Sequence, residues 1–84
     1  MQNMKLEIVT TEETVFTGNV DYVSVNSVDG QIGILPNHIS LISELGKGDL
    51  MWRDGNKEKD VNIDGGFIEV INNNVTILID GSIN

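Results

Sequence analysis

Few residues in this 84-residue chain could do chemistry: one histidine, His38, thirteen acidic side chains, and the glycines of Gly30-Gln31-Ile32-Gly33. There is no cysteine, so His38 has no thiol to activate and no thiolate metal site can form. A serine triad needs three groups brought together in space, and one histidine beside ordinary serines does not establish it. A lone histidine is also a poor nucleus for a metal, and the carboxylates follow neither a calcium-loop pattern nor a His-carboxylate spacing. Gly30 to Gly33 has the look of a phosphate loop but lacks the following Gly-Lys-Ser/Thr, and no helix follows to supply an N-terminal anion site. Catalysis, cofactor binding and metal binding are therefore not expected. These residue types offer contact instead: glycine backbone, amides at Gln31 and Asn37, and an imidazole at His38.

All of them fall in one stretch, Asp29 to His38, which also holds the only proline. Asp29-Gly30 is a turn pair, because glycine reaches positive φ without steric cost and aspartate tolerates it. Gly33, inside a strand-like run of Ile32, Ile34 and Leu35, predicts a bulge or a close backbone approach. Pro36 removes a ladder donor, so the strand should end near Leu35 and Pro36-Asn37-His38 should form a rigid corner.

The remaining chain reads as strands and turns. Met4, Leu6 and Ile8 alternate with Lys5 and Glu7, the period of a half-buried strand. Thr14 to Val20 resumes a β-rich run in which Gly18-Asn19 suggests a hairpin, and Val23 and Val25 should face inward from the strand that follows. Ile39 to Leu45 fits strand alternation and helical spacing about equally, and its length favours strand. Asp54-Gly55 is the strongest short hairpin signal, with Lys57 to Ile63 as its return strand. The charges Lys57, Glu58, Lys59 and Asp60 suit an exposed sheet edge. Phe67 to Ile71, Asn72-Asn73-Asn74 and Val75 to Asp80 read as a closing hairpin. Together these predict one all-β domain over residues 1–84, a small antiparallel β-sandwich or flattened barrel of about 8–10 short strands.

Composition narrows the function classes. A formal charge of −8 repels nucleic-acid phosphates and anionic lipid headgroups. The longest apolar runs are only a few residues, so membrane association would be indirect. The absence of cysteine suits a reducing compartment.

Taken in order, Lys5 to Thr10, Val15-Phe16-Thr17-Gly18, Gly30 to His38, Gly65-Gly66-Phe67-Ile68-Glu69-Val70 and the Asn-Asn-Val-Thr-Ile-Leu ending resemble the epsilon subunit of the rotary ATP synthase over almost the whole chain. The Gly-x-x-Gly-x-x-Pro-x-His run is the most specific part. The resemblance implies a non-catalytic β-sandwich at the foot of the central stalk, on the cytoplasmic side of an energy-transducing membrane such as a bacterial cell membrane. It would join the gamma subunit to the polar loops of the c-ring, with no membrane insertion and no cofactor. The resemblance further implies that Asp29, Gly30 and Gln31 face the c-ring, while His38 and Ser43 face gamma. At Gln31 a carboxylate is common in the family, so a salt bridge there would become a neutral hydrogen bond. Relatives usually continue into a two-helix domain that restrains hydrolysis and in some bacteria binds ATP. This sequence stops before such a domain, so the chain is expected to lack inhibition and nucleotide binding. The rival reading is an independent β-sandwich that binds another protein or a carbohydrate.

Overall fold

The computed structural model describes residues 3–38 and 40–80. Nine strands follow in chain order: β1 (Met4–Val9), β2 (Thr14–Val20), β3 (Tyr22–Ser27), β4 (Gly30–Ile34), β5 (Leu41–Leu45), β6 (Gly48–Asp54), β7 (Lys57–Ile63), β8 (Gly66–Ile71) and β9 (Asn74–Ile79). No helix occurs among the described residues, so none there is long and apolar enough to cross a membrane. Hydrogen bonding runs β2-β1-β9-β8-β5-β3-β6-β7, with β4 paired to β3 alone. Strand β5 meets β3 through the single pair Ser27 and Leu45. At that thin join the path turns from one layer of a sandwich to the other, and the Phe16 ring of β2 packs tilted against that of Trp52 of β6, with centroids 5.0 Å apart.

The core follows from alternation. Met4, Leu6 and Ile8 of β1, Val23 and Val25 of β3, Ile68 and Val70 of β8, and Val75, Ile77 and Ile79 of β9 are all buried, as a period of two with one inward face requires. Strand β7 lies at one end of the path, with Lys57, Glu58, Lys59 and Asp60 exposed, as expected of a charged edge. The expected strand Ile39 to Leu45 is found as β5 from Leu41; Ile39 lies outside the described residues, as do 81–84.

Three local expectations change. Gly18-Asn19 is not a turn but the interior of β2, where Gly18 pairs with Leu6. Its glycine is explained by the Phe16 ring, which would lie 3.0 Å from a Cβ at position 18. The loop at Asp54-Gly55 is centred one residue later, on Gly55-Asn56, because Asp54 already pairs with Lys57. One pairing is parallel, β1 with β9, while every other pair is antiparallel. No local signal could have announced it, since the partners come from the two ends of the described chain.

A polar clamp fixes the corner between β2 and β3. The Asp21 carboxylate accepts the Gly55 backbone N–H through Oδ2 at 2.9 Å and the Arg53 Nε–H through Oδ1 at 3.1 Å. The Arg53 guanidinium also lies 5.0 Å from the centre of the Tyr22 ring. Tyr22 in turn leans over Gly33, where a Cβ would come 2.9 Å from its hydroxyl. Gly33 is thus a close approach and not a bulge, since the register of β3 and β4 is unbroken.

The Gly55 hydrogen bond, followed by the Arg53 hydrogen bond, holds the Asp21 carboxyl below its ordinary value. A depressed carboxyl stabilises the fold above its unfolded pKa, and that contribution is lost as pH falls through the folded pKa. The expected outcome is that Asp21→Ala lowers the urea midpoint near neutral pH, with the gap to wild type narrowing below about pH 4. A gap that stays constant down to about pH 2 would show that the carboxylate charge contributes nothing.

Candidate functional site

Asp29 to Gln31 and His38, expected to meet different partners, lie at opposite ends of the sandwich, because β4 carries the chain from one end to the other. At the first end, Val28-Asp29 is a two-residue hairpin loop between the paired Ser27 and Gly30. Its shape is set locally. The Ser27 hydroxyl accepts the Asp29 N–H at 3.1 Å and donates to the Gly30 carbonyl at 2.7 Å, and Gly30 adopts φ 131°, which disfavours any side chain. Val28 is 58% exposed beside the Asp29 carboxylate, and its N–H donates to the Glu44 carbonyl at 3.0 Å. The exposed Gln31 side chain is tied sideways, its Nε2 donating to Ser24 Oγ at 3.2 Å across the hairpin. Strand registers bring the turns at Glu12-Glu13, Asp64-Gly65 and Asp80 to this same end, and with Asp29 they leave five exposed carboxylates there.

At the opposite end, Leu35 to His38 closes a four-residue turn through the His38 N–H donating to the Leu35 carbonyl at 3.2 Å. Pro36 in the second position and Asn37 at φ 67° in the third give the pattern of a type II turn. Asn37 and Asn73 exchange two hydrogen bonds: the Asn37 N–H donates to Asn73 Oδ1 at 2.6 Å, and Asn73 Nδ2 donates to Asn37 Oδ1 at 3.1 Å. Asn73 sits in the loop between β8 and β9, where Asn72 and Asn73 take φ values of 49° and 62°, the left-handed pair that a two-residue type I′ loop demands. An open cleft of about 400 Å³ is lined by Asn37, His38, Ser40, Asn72 and Asn73. His38 is half-buried in its wall.

Ser43 is not beside His38. It sits in the middle of β5, paired with Ile68 and half-buried on the side that carries Leu41 and Leu45, with its hydroxyl 3.4 Å from the Glu44 carbonyl. What β5 turns outward is its neighbour Ile42, 71% exposed. Across the same outer face, Glu44, Phe67, Leu78 and Val9 form one cross-strand row, and Ile42, Glu69, Thr76 and Glu7 form the next. Phe67 is 54% and Leu78 41% exposed, and with Ile42 they line a shallow groove of about 300 Å³ together with Ile68, Glu69 and Thr76.

This apolar stripe was not singled out from the sequence. Its signal was present in the lapses of alternation at Leu41-Ile42, Phe67-Ile68 and Ile77-Leu78-Ile79, since apolar residues of both parities mark a strand covered on both faces. Clustered exposed apolar side chains on a small acidic domain mark a candidate contact surface. Among the described residues no group of His and acidic side chains is arranged to hold a metal.

Comparisons with known proteins agree with this geometry. Residues 3–84 match the family described as the ATP synthase delta/epsilon chain β-sandwich domain. The ATP synthase epsilon chain of Maridesulfovibrio salexigens is 45% identical over 75 residues, covering 89% of this chain and 53% of that protein. The epsilon chain of Alkalihalophilus pseudofirmus is 40% identical over 82 residues, covering 98% of this chain and 62% of its own length. The chain thus spans little more than half the length of these relatives. Among solved structures, a chain of the Euglena gracilis mitochondrial ATP synthase superimposes with a TM-score of 0.87 at 24% identity, over 92% of this chain and 50% of that one. A chain of the Tetrahymena thermophila mitochondrial ATP synthase central stalk and c-ring gives 0.79 at 18%, over 95% and 65%. At such identities the two structures speak for the fold.

Proposed function

Since the chain belongs to the delta/epsilon family of ATP synthase chains through its β-sandwich domain, we propose that it serves as a non-catalytic rotor subunit that joins gamma to the c-ring on the cytoplasmic side of a bacterial membrane. The observation that carries this reading is the uncovered apolar stripe of Ile42, Phe67 and Leu78 on a domain otherwise rich in acid. Such a surface costs solubility unless a partner covers it. Gamma is the partner assigned to it, with His38 at the end of the same surface and Ser43 contributing through the strand that presents Ile42. The opposite end, with Asp29, Gly30 and Gln31 at its tip, is assigned to the c-ring polar loops.

Charge supports the second assignment. Five exposed carboxylates lie at this end against the exposed Lys47, so attraction to a basic loop does not depend on a carboxylate at position 31. Gln31, already bonded to Ser24, then shapes the tip more than it binds. In this reading the chain transmits rotation by being held at both ends. It performs no proton transfer and binds no nucleotide by itself.

Co-purification is the direct test. The tagged chain expressed in its own host is expected to bring down gamma together with other synthase subunits. Recovery of neither gamma nor any other synthase subunit would remove the basis for the rotor reading and leave the chain as an independent binding module.

A further inference from the structure

We infer that Asp64-Gly65 is a self-modification site at which the backbone converts aspartate to isoaspartate, because the fold leaves this pair free to cyclise while it restrains Asp29-Gly30 and Asp54-Gly55. The same dipeptide occurs once more, at Asp80-Gly81, which reaches beyond the described residues. In every such pair the glycine has no Cβ to keep its nitrogen away from the preceding carboxyl carbon. The Gly65 nitrogen attacks Asp64 Cγ, a C–N bond forms, and the carboxyl hydroxyl leaves as water with the proton of the nitrogen. Water then opens the cyclic imide. Where it cleaves the bond between the nitrogen and the main-chain carbonyl, the chain runs on through Cγ and the former main-chain carbonyl becomes the free carboxylate. Nothing is oxidised or reduced, and the mass is unchanged.

The pairs differ in how far the fold engages their atoms. At Asp54-Gly55 the Gly55 N–H donates to Asp21 Oδ2 at 2.9 Å, and Asp54 is held in register with Lys57. At Asp29-Gly30 the Ser27 hydroxyl accepts the Asp29 N–H at 3.1 Å and donates to the Gly30 carbonyl at 2.7 Å, while Gly30 pairs with Ser27. Asp64 and Gly65 lie between β7 and β8 and belong to neither strand. Among the described residues the Gly65 N–H has no hydrogen-bond partner, and neither has the exposed Asp64 carboxylate. Gly65 is held only through its carbonyl, which accepts the Asp80 N–H at 3.0 Å and leaves the nitrogen available. Gly66 follows directly, so the ring closes without a side chain on either of the residues after Asp64.

The test is to incubate the free chain warm at neutral pH for several weeks and to map isoaspartate by methyl transfer from an isoaspartyl methyltransferase and by peptide mass spectrometry. Isoaspartate at Asp64 is expected to exceed that at Asp29 or Asp54 about fivefold or more in the folded chain, and to come within about twofold of both in urea. Equal formation at these positions in the folded chain, or more at Asp54 than at Asp64, would overturn the assignment. Gly65→Ala is expected to lower formation at Asp64 about tenfold with the fold kept, since its Cβ would stand 3.4 Å from the Leu45 carbonyl oxygen at an ordinary φ. Circular dichroism checks the fold. Asp64→Glu changes only an exposed side chain and moves the carboxyl a carbon further from the nitrogen, so methyl label around position 64 is expected to vanish even if Gly65→Ala fails to fold. Label that persists there in Asp64→Glu would overturn the assignment as well.

Discussion

Gly66→Ala is expected to unfold this chain, while Gly46→Ala, twenty positions earlier in the turn between β5 and β6, is expected to change its stability by less than about 0.5 kcal/mol. A Cβ at Gly66 would lie 2.1 Å from the Leu78 carbonyl oxygen and 3.1 Å from the Ile79 Cα. Both are backbone atoms of the neighbouring strand, so no rotamer change relieves the clash. The residue also holds φ at 153°, where side chains are strained, and it pairs with Leu45 on one side and Ile79 on the other. Making room would separate β8 from β9 at the point where β5 also joins. Loss of about 4 kcal/mol or more is the expected scale, a large share of what a small domain has. A Cβ at Gly46 meets nothing within 4 Å and needs no unusual φ. Circular dichroism melts of the two variants decide the matter; a cooperative melt for Gly66→Ala within a few degrees of wild type would mean that the two strands separate far more readily than their pairing implies.

The second large effect is on association. Under the proposed assignment of gamma to the outer stripe, Phe67→Asp is expected to weaken gamma binding by about 2 kcal/mol or more, roughly thirtyfold, with the fold intact. Phe67 is more than half exposed in the free chain and pairs across the strands with Leu78. An aromatic ring in the middle of an apolar stripe is the type of residue that dominates an interface once covered. A carboxylate there would have to be desolvated against apolar neighbours, beside Glu69 on the same strand. Calorimetry with purified gamma measures the change, and Glu58→Ala on the charged edge strand serves as the control with unchanged affinity. Near-wild-type affinity for Phe67→Asp would place gamma elsewhere on the molecule.

Much of the architecture was readable because it is local. The return strand Lys57–Ile63 emerges with the expected boundaries, since a glycine turn and a run of charge both mark it. The alternation of Met4, Leu6 and Ile8 identified a buried face that the structure fills. Gly18 was misread because glycine in a strand and glycine in a turn look alike until one knows that the Phe16 ring lies over it. The corner at Pro36-Asn37 was legible from turn chemistry alone, whereas the turn expected at Asp29-Gly30 is centred one residue earlier, on Val28-Asp29, because Gly30 already pairs with Ser27. The fastening of that corner by Asn73 was not, since it joins two loops far apart in sequence. Nor did alternation reveal the outer stripe: it tells which side chains share a face, and only the finished sheet tells which face is left uncovered.

The parallel pairing of β1 with β9 bears on how the chain is born. Leu6 pairs with Val75 and Ile8 with Ile77, so the first strand made waits for the last before its second edge is satisfied. During synthesis β1 and β2 can form their hairpin early, but that hairpin presents Leu6 and Ile8 to solvent until β9 has left the ribosome. Contacts this distant in sequence slow the search for the native state and lengthen the exposure of apolar strands. The nascent β1–β2 hairpin is therefore the species that a chaperone would meet before β9 arrives.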